Sequence, residues 1–155
     1  MSSDETRPIL TNAYLDNYHD TLVLVATDSY KLVAIQLGEA DMVLAGRFIP
    51  RAELIKWYKL AATRDLLTLE VIAGMAIVDN DSKYPAWQKL LDKQEEETDP
   101  KYTGATDSIS FNASYALTLE KLAGQSLSYQ LNGYMGQMQA TTDDGLYILM
   151  PLKAK

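Results

Sequence analysis

The side chains able to do nucleophilic, acid–base or metal chemistry are few in this sequence, and they are not gathered. Cysteine is absent and His19 is the single histidine, which removes thiolate nucleophiles, disulfides and thiolate metal sites. His19 lies in the polar run Asp16-Asn17-Tyr18-His19-Asp20 with no cluster of partners around it, so it reads as a solvated turn residue rather than a ligand or general base. Asp79-Asn80-Asp81-Ser82 gathers oxygen atoms of the kind hard cations favour, but it lacks the glycine and distal glutamate of an EF-hand loop and reads as a turn. Glu95-Glu96-Glu97 sits in a charged run and reads as solvated. With no glycine-rich phosphate loop either, the sequence argues against an enzyme and implies no cofactor and no metal.

What remains is binding chemistry, in two places. Asp28-Ser29-Tyr30-Lys31 is a polar corner between two apolar runs, where Asp28 and Ser29 can bond their own backbone and leave Tyr30 and Lys31 displayed at the edge. Lys56 and Lys59 lie together on one side of a helical segment, with Arg51 and Arg64 at its two ends. Such a basic face is either a solvated helix surface or a phosphate contact.

The elements that must position these residues follow from periodicity. A length of 155 residues suits one domain with a sizeable core. Thr6 to Leu15 reads as a first strand, ending in the turn Asp16 to Asp20, and Leu22 to Val25 and Lys31 to Leu37 read as a buried hairpin. Gly38 to Gly46 reads as a loop; Pro50, suited to a first helical position, opens an amphipathic helix to about Thr63 with Leu54, Ile55, Tyr58, Ala61 and Ala62 inward. Two strands, Leu66 to Ile72 and Met75 to Asp79, turn at Ala73-Gly74. The segment 93–107 is charged and poor in aliphatics, a linker or loop.

Ser108 to Phe111 resumes a strand, Asn112 is a good N-cap, and Ala113 to Ala123 forms a helix ended by Gly124, with Tyr115, Leu119 and Leu122 on one face and Leu117 on the other. Leu127 to Leu131, Gly136 to Ala140 and Leu146 to Leu152 supply three more strands. A strand–helix–strand–strand–strand pattern thus recurs from Arg47 and from Ser108, which predicts an α+β fold of antiparallel sheet and two helices.

Formal net charge is −7 and the sequence pI about 4.6, which argues against nucleic acid only for the chain as a whole, because a local basic patch is not reported by net charge. No apolar run approaches the roughly 20 residues of a membrane span, and Met1 to Thr6 lacks signal-peptide character, so the expectation is a soluble, cytoplasmic protein.

The wording of three stretches adds a resemblance. Ala26-Thr27-Asp28-Ser29-Tyr30-Lys31-Leu32 resembles the Ala-Thr-Asp-(Gly/Ser)-(His/Tyr)-Arg-Leu signature of bacterial sliding clamps, the DNA polymerase III β subunit family. Lys83-Tyr84-Pro85-Ala86-Trp87-Gln88-Lys89-Leu90-Leu91 is similar to the aromatic-Pro-x-aromatic segment that closes the clamp's middle domain, and Tyr147-Ile148-Leu149-Met150-Pro151-Leu152-Lys153 looks like the clamp's C-terminal tail. Phe111-Asn112-Ala113-Ser114-Tyr115 resembles a clamp helix start. The order of the matches is that of the family.

The resemblance implies a DNA-clamp-like fold in which residues 1–92 correspond to part of a middle domain and 108–155 to the latter half of a third domain, with 93–107 as linker and the whole forming one compact clamp-type domain. A first domain, the opening of the second and the first half of the third have no counterpart, so one chain of this size is not expected to close a ring alone. It further implies a pocket for the short clamp-binding motifs of polymerases and other replication and repair proteins. Carried across, its first wall is Arg7, Leu10, Thr27, Ser29, Tyr30, Lys31 and Leu32. Pro85 and Leu90 follow, then Ile148, Met150, Pro151 and Leu152, with Asn112 and Tyr115 near the second part of the groove.

The chemistry suits peptide capture: aliphatic anchors and adaptable Met150 for apolar side chains, and Tyr30, Lys31 and Arg7 for an extended backbone or a carboxylate. The alternative is that Met150 and Leu152 are simply core residues of a last strand. Lys31 stands where the family has arginine, which replaces bidentate contacts by point-charge ones. By the same resemblance the Arg51 to Arg64 helix would face double-stranded DNA without reading its sequence. The leading expectation is therefore a non-enzymatic, sliding-clamp-like binder of clamp-interaction peptides in DNA replication. The alternative within the same biology is a DNA polymerase processivity factor that closes a ring around DNA by homo-oligomerisation; a small enzyme is the alternative from another class.

Overall fold

The computed structural model of the chain describes residues 1–2, 4, 6–60, 72, 74–78, 83–92, 110–132 and 137–152. It divides into two compact units, Met1–Tyr84 and Pro85–Lys155. The boundary falls between Tyr84 and Pro85, inside the aromatic segment at 84–87. The charged segment 93–107 and the strand residues expected at 66–71 lie outside the described residues. No helix among the described residues is long and apolar enough to cross a membrane.

The first unit is an antiparallel sheet. A 3-10 turn, Pro8–Thr11, leads into β1 (Asn12–Tyr18), β2 (Thr21–Thr27), β3 (Lys31–Glu39) and β4 (Phe48–Pro50), after which α1 spans Arg51–Leu60. β1 pairs with both β2 and β4, and β2 with β3. The first strand differs from the expectation at both ends. It starts at Asn12, and it runs on through Asp16-Asn17-Tyr18, because the chain reverses in only two residues: Tyr18 faces Thr21 in register, and His19 and Asp20 take φ 47° and 59°. Positive φ at both central positions is the hairpin turn whose twist matches the strands, and His and Asp are among the non-glycine residues that tolerate it.

β2 is buried on both faces from Leu22 to Val25, as a continuous apolar run in a covered sheet should be. One face joins Ala13, Leu15, Leu22, Leu24, Ile49, Ile72 and Met75 in a core, against which Leu54 of α1 packs. On β1 and β4 the alternate residues Tyr14 and Phe48, paired in register, face the other way. Their rings lie 5.1 Å apart, and Tyr84 stacks on Tyr14 at 4.8 Å while its hydroxyl donates to the Val25 carbonyl at 3.4 Å. Burial pushes the Tyr84 phenol well above its ordinary pKa, so it stays a neutral donor. Full burial of a side chain such as Leu15 or Phe48 contributes about 1.5–3 kcal/mol.

Two further expectations change here. Pro50 is the last residue of β4 rather than the first of the helix, a one-residue shift of the kind helix ends commonly show. Ile72 is helical, not the end of a strand, and is fully buried. The strand expected from Met75 reduces to a single bridge, Val78 with Phe48, closed by backbone bonds of 2.8 and 3.0 Å.

The second unit contains α2 (Lys89–Asp92), α3 (Ala113–Ala123) and the antiparallel meander β5 (Gln130–Asn132), β6 (Gln137–Thr142) and β7 (Gly145–Leu149). α3 begins and ends as its sequence dictates. The Asn112 side chain accepts from the Ser114 amide at 3.0 Å, and Gly124 closes the helix at φ 63°. Its buried stripe is Leu119 and Ala123, with Tyr115 half-buried; Leu122, expected inward, is exposed, as is Leu117. Leu122 sits at the margin of that stripe, about 60° round the helix from Leu119 at 100° per residue.

Residues 127–129 do not join the sheet, and β7 stops at Leu149 instead of Leu152. Pro151 explains the second point: it has no N–H to give to a ladder, and it restricts the residue before it. Ser110 forms no strand, although its carbonyl accepts from the Leu152 amide at 2.8 Å.

Candidate functional site

The Thr27–Lys31 corner is built by hydrogen bonds from side chain to backbone. Asp28 Oδ1 accepts from the amides of Tyr30 at 3.1 Å and Lys31 at 3.0 Å, and its Oδ2 pairs with the Lys31 ammonium. Thr27 Oγ1 donates to the Lys31 carbonyl at 2.9 Å and accepts from the Ser29 amide at 3.1 Å. Burial opposes ionisation of Asp28, but the Lys31 side chain and the two amides outweigh it and hold the carboxyl below its ordinary range. The acid is therefore charged at neutral pH.

That network forces Ser29 to φ 76°, a left-handed conformation that glycine adopts more readily. From the 3-10 turn, Arg7 reaches back and donates from Nη1 to Ser29 Oγ at 3.1 Å. Tyr30 is thereby displayed, 57% exposed. The positions flanking the corner behave differently: Leu10 and Leu32 are buried in the unit, and Thr27 is buried too. Leu10 and Leu32, expected as cleft walls, lie beneath the surface because they occupy inward-facing positions.

In the second unit Pro85 is exposed and Leu90 half-buried. The Leu90 carbonyl, in α2, accepts from Gln137 Nε2 at 2.5 Å and Gln139 Nε2 at 3.4 Å. These two glutamines are buried on β6 and satisfy a carbonyl near a helix end that the helix itself cannot. Ile148 is fully buried in β7, another expected wall residue that lies in the core. Beyond the strand end, Met150 and Pro151 are half-buried and Leu152 is 52% exposed. Neither Met150 nor Leu152 belongs to the last strand, and Leu152 is not a core position. Asn112 serves as the α3 cap, and Tyr115 is half-buried one turn on.

On α1, Arg51 and Lys56 are exposed, but Lys56 Nζ lies 3.6 Å from Glu53 Oε1. The basic face is therefore partly neutralised by its own i,i+3 acid. The side chain of Lys59, and Arg64 altogether, lie outside the described residues. No group of three or more metal-ligating side chains occurs among the described residues.

Three participants were not among the expected site residues. Asp28 organises the corner, and its signal was present as an acid followed by two residues whose amides it can reach. Gln137 and Gln139 were hidden, since a polar residue on an inward strand face carries no local sequence mark.

No protein-family model and no curated protein matches this sequence. Solved structures do. A sliding clamp, DNA polymerase III subunit beta, from Bartonella birtlesii bound to griselimycin matches at TM-score 0.61 and 19% identity, over 99% of this chain and 60% of that one. The DNA polymerase III subunit beta of Pseudomonas aeruginosa matches at 0.65 and 16%, over 99% and 61%. The Bacillus subtilis sliding clamp matches at 0.60 and 15%, over 100% and 60%. The chain thus spans about 60% of the length of the clamps it matches. Its fold is an α+β fold of the kind seen in the bacterial DNA polymerase III β sliding clamps.

Proposed function

We propose that the protein is a non-enzymatic, sliding-clamp-like component of DNA replication that binds short extended peptides of the clamp-interaction type. From the first unit Arg7, Ser29, Tyr30 and Lys31 would contact the peptide, with Leu10, Thr27 and Leu32 buried in that unit; from the second Pro85, Leu90, Met150, Pro151 and Leu152 would do so, with Ile148 buried in that one. Asn112 and Tyr115 complete the proposed set. The observation that carries the reading is the exposure of Tyr30 on a rigid corner together with that of Leu152 beyond the end of β7. Apolar side chains placed outside a core suit a peptide's apolar anchors, and Arg7 and Lys31 suit its backbone carbonyls or carboxylate.

Calorimetric titration with a peptide of the form Gln-Leu-x-Leu-Phe tests this. Tyr30→Ala and Met150→Ala should each raise Kd at least about tenfold, or about 1.4 kcal/mol, with the thermal unfolding midpoint unchanged for Tyr30→Ala. Unchanged affinity in both contradicts the assignment. Because the similar Bartonella clamp was solved bound to griselimycin, displacement of the peptide by that compound is a second readout.

A second reading, a ring-forming processivity factor, rests on the exposure of Arg51 and Lys56 on α1. Arg51, Lys56, Lys59 and Arg64 would then face double-stranded DNA, with several copies closing the ring. Lys56→Glu with Lys59→Glu should weaken DNA binding and reduce the magnitude of its salt slope by about 2. Identical salt dependence in the double variant would remove DNA from α1.

A further inference from the structure

The most exposed large apolar side chains among the described residues are not at the peptide surface. They are Met42, 86% exposed, and Val43, 72% exposed, side by side in the loop between β3 and β4. The loop is held firmly. Asp41 Oδ1 accepts from the Val43 and Leu44 amides at 2.7 and 3.1 Å, and the Asp41 amide donates to Asn17 Oδ1 at 3.1 Å. The Ala45 amide donates to the Asp41 carbonyl at 2.9 Å and the Gly46 amide to the Leu15 carbonyl at 2.8 Å. Leu44 and Ala45 pack on the core of the unit. Two residues of one tight turn therefore face inward while their neighbours stand in water, in a conformation already fixed.

The surroundings are acidic. The Ala40 amide donates to the Asp20 carbonyl at 3.0 Å, which sets the β1–β2 turn beside this loop. Asp20 and Glu39 are exposed. Segments 16–20 and 39–47 together carry Asp16, Asp20, Glu39 and Asp41 against Arg47 alone. We propose that Met42 and Val43, rimmed by Asp20, Glu39 and Asp41, form a docking site for a basic protein segment bearing one or two apolar anchors. An apolar centre with a charged rim recognises its complement in both respects. The same rim repels DNA phosphate, anionic lipid and a second copy's like-charged face, and a preformed turn avoids the ordering cost of binding.

The test is a selection from a random peptide library displayed on phage, using the full chain as bait and depleting against Met42→Ser/Val43→Ser. Enriched peptides should be rich in Lys and Arg around an aliphatic or aromatic residue. They should bind the unaltered chain at least about tenfold tighter than the double variant and weaken with salt. Asp20→Asn with Glu39→Gln should lower their affinity several-fold. Their binding should survive Tyr30→Ala, and the double variant should bind Gln-Leu-x-Leu-Phe normally, which separates this site from the proposed peptide surface. Failure to enrich such peptides, enrichment of neutral or acidic ones, or equal binding to the double variant overturns the proposal. So does self-association, seen by light scattering, that disappears in the double variant, since the patch would then belong to a second copy.

Discussion

The Thr27–Lys31 corner and the Met150–Leu152 tail each present an exposed apolar side chain, Tyr30 and Leu152, on contrasting supports. The corner is cross-braced by Asp28, Thr27 and Arg7, and it holds Ser29 in a left-handed conformation. The tail leaves the sheet at Leu149 and is tied to Ser110 through the Leu152 amide. A rigid support lowers the entropy lost on binding, and a looser one carrying an adaptable methionine accommodates different anchors. Under the proposed function the corner sets where a peptide starts, and the tail sets how much variety it tolerates.

The contrast can be broken most strongly at Asp28. Asp28→Ala removes the acceptor for two amides and an ammonium, and should cost about 2 kcal/mol in urea denaturation as well as weaken peptide binding. A change in affinity without loss of stability would mean that the corner does not brace the unit. The pH dependence has a defined sign. The folded Asp28 carboxyl lies below its unfolded value of about 3.9, so its stabilisation is complete above that value and is lost as pH falls through the lower, folded value. In Asp28→Ala this part of the acid sensitivity should disappear.

On the tail, Leu152→Ala should do the reverse: weaken the peptide about three- to tenfold while shifting stability by less than about 0.5 kcal/mol, as expected for an exposed residue. A stability loss of core size would place Leu152 inside the unit. The smallest effect is expected at Ser29. Ser29→Gly relieves the left-handed backbone but adds freedom to the unfolded chain, for a net gain of about 0.5 kcal/mol. It also deprives Arg7 of its hydroxyl acceptor, so peptide affinity should fall slightly as stability rises, which is the signature of strain kept for positioning.

Much of this was legible beforehand where local chemistry decides the conformation. The β2–β3 hairpin follows from β-branched and aliphatic runs around an Asp able to cap its own turn, and α3 follows from Asn112 and Gly124. Legibility failed where tertiary context decides. The turn at His19-Asp20 has no glycine to announce it, so the end of β1 was placed three residues early, at Leu15 instead of Tyr18. Leu10, Leu32 and Ile148 were recognised as apolar and near the corner or tail, but which of the alternating positions faces inward depends on what covers the sheet. The strand end at Leu149 was readable from Pro151, whose missing donor ends the ladder; the run of aliphatic residues concealed it.

The most direct test of the central claim is the affinity of the full chain for a Gln-Leu-x-Leu-Phe peptide by calorimetry, with mass followed by light scattering in the same samples. The account predicts saturable binding at one peptide per chain, weakened by Asp28→Ala and by Leu152→Ala. Absence of saturable binding by a folded chain, or affinity indifferent to both substitutions, would contradict it.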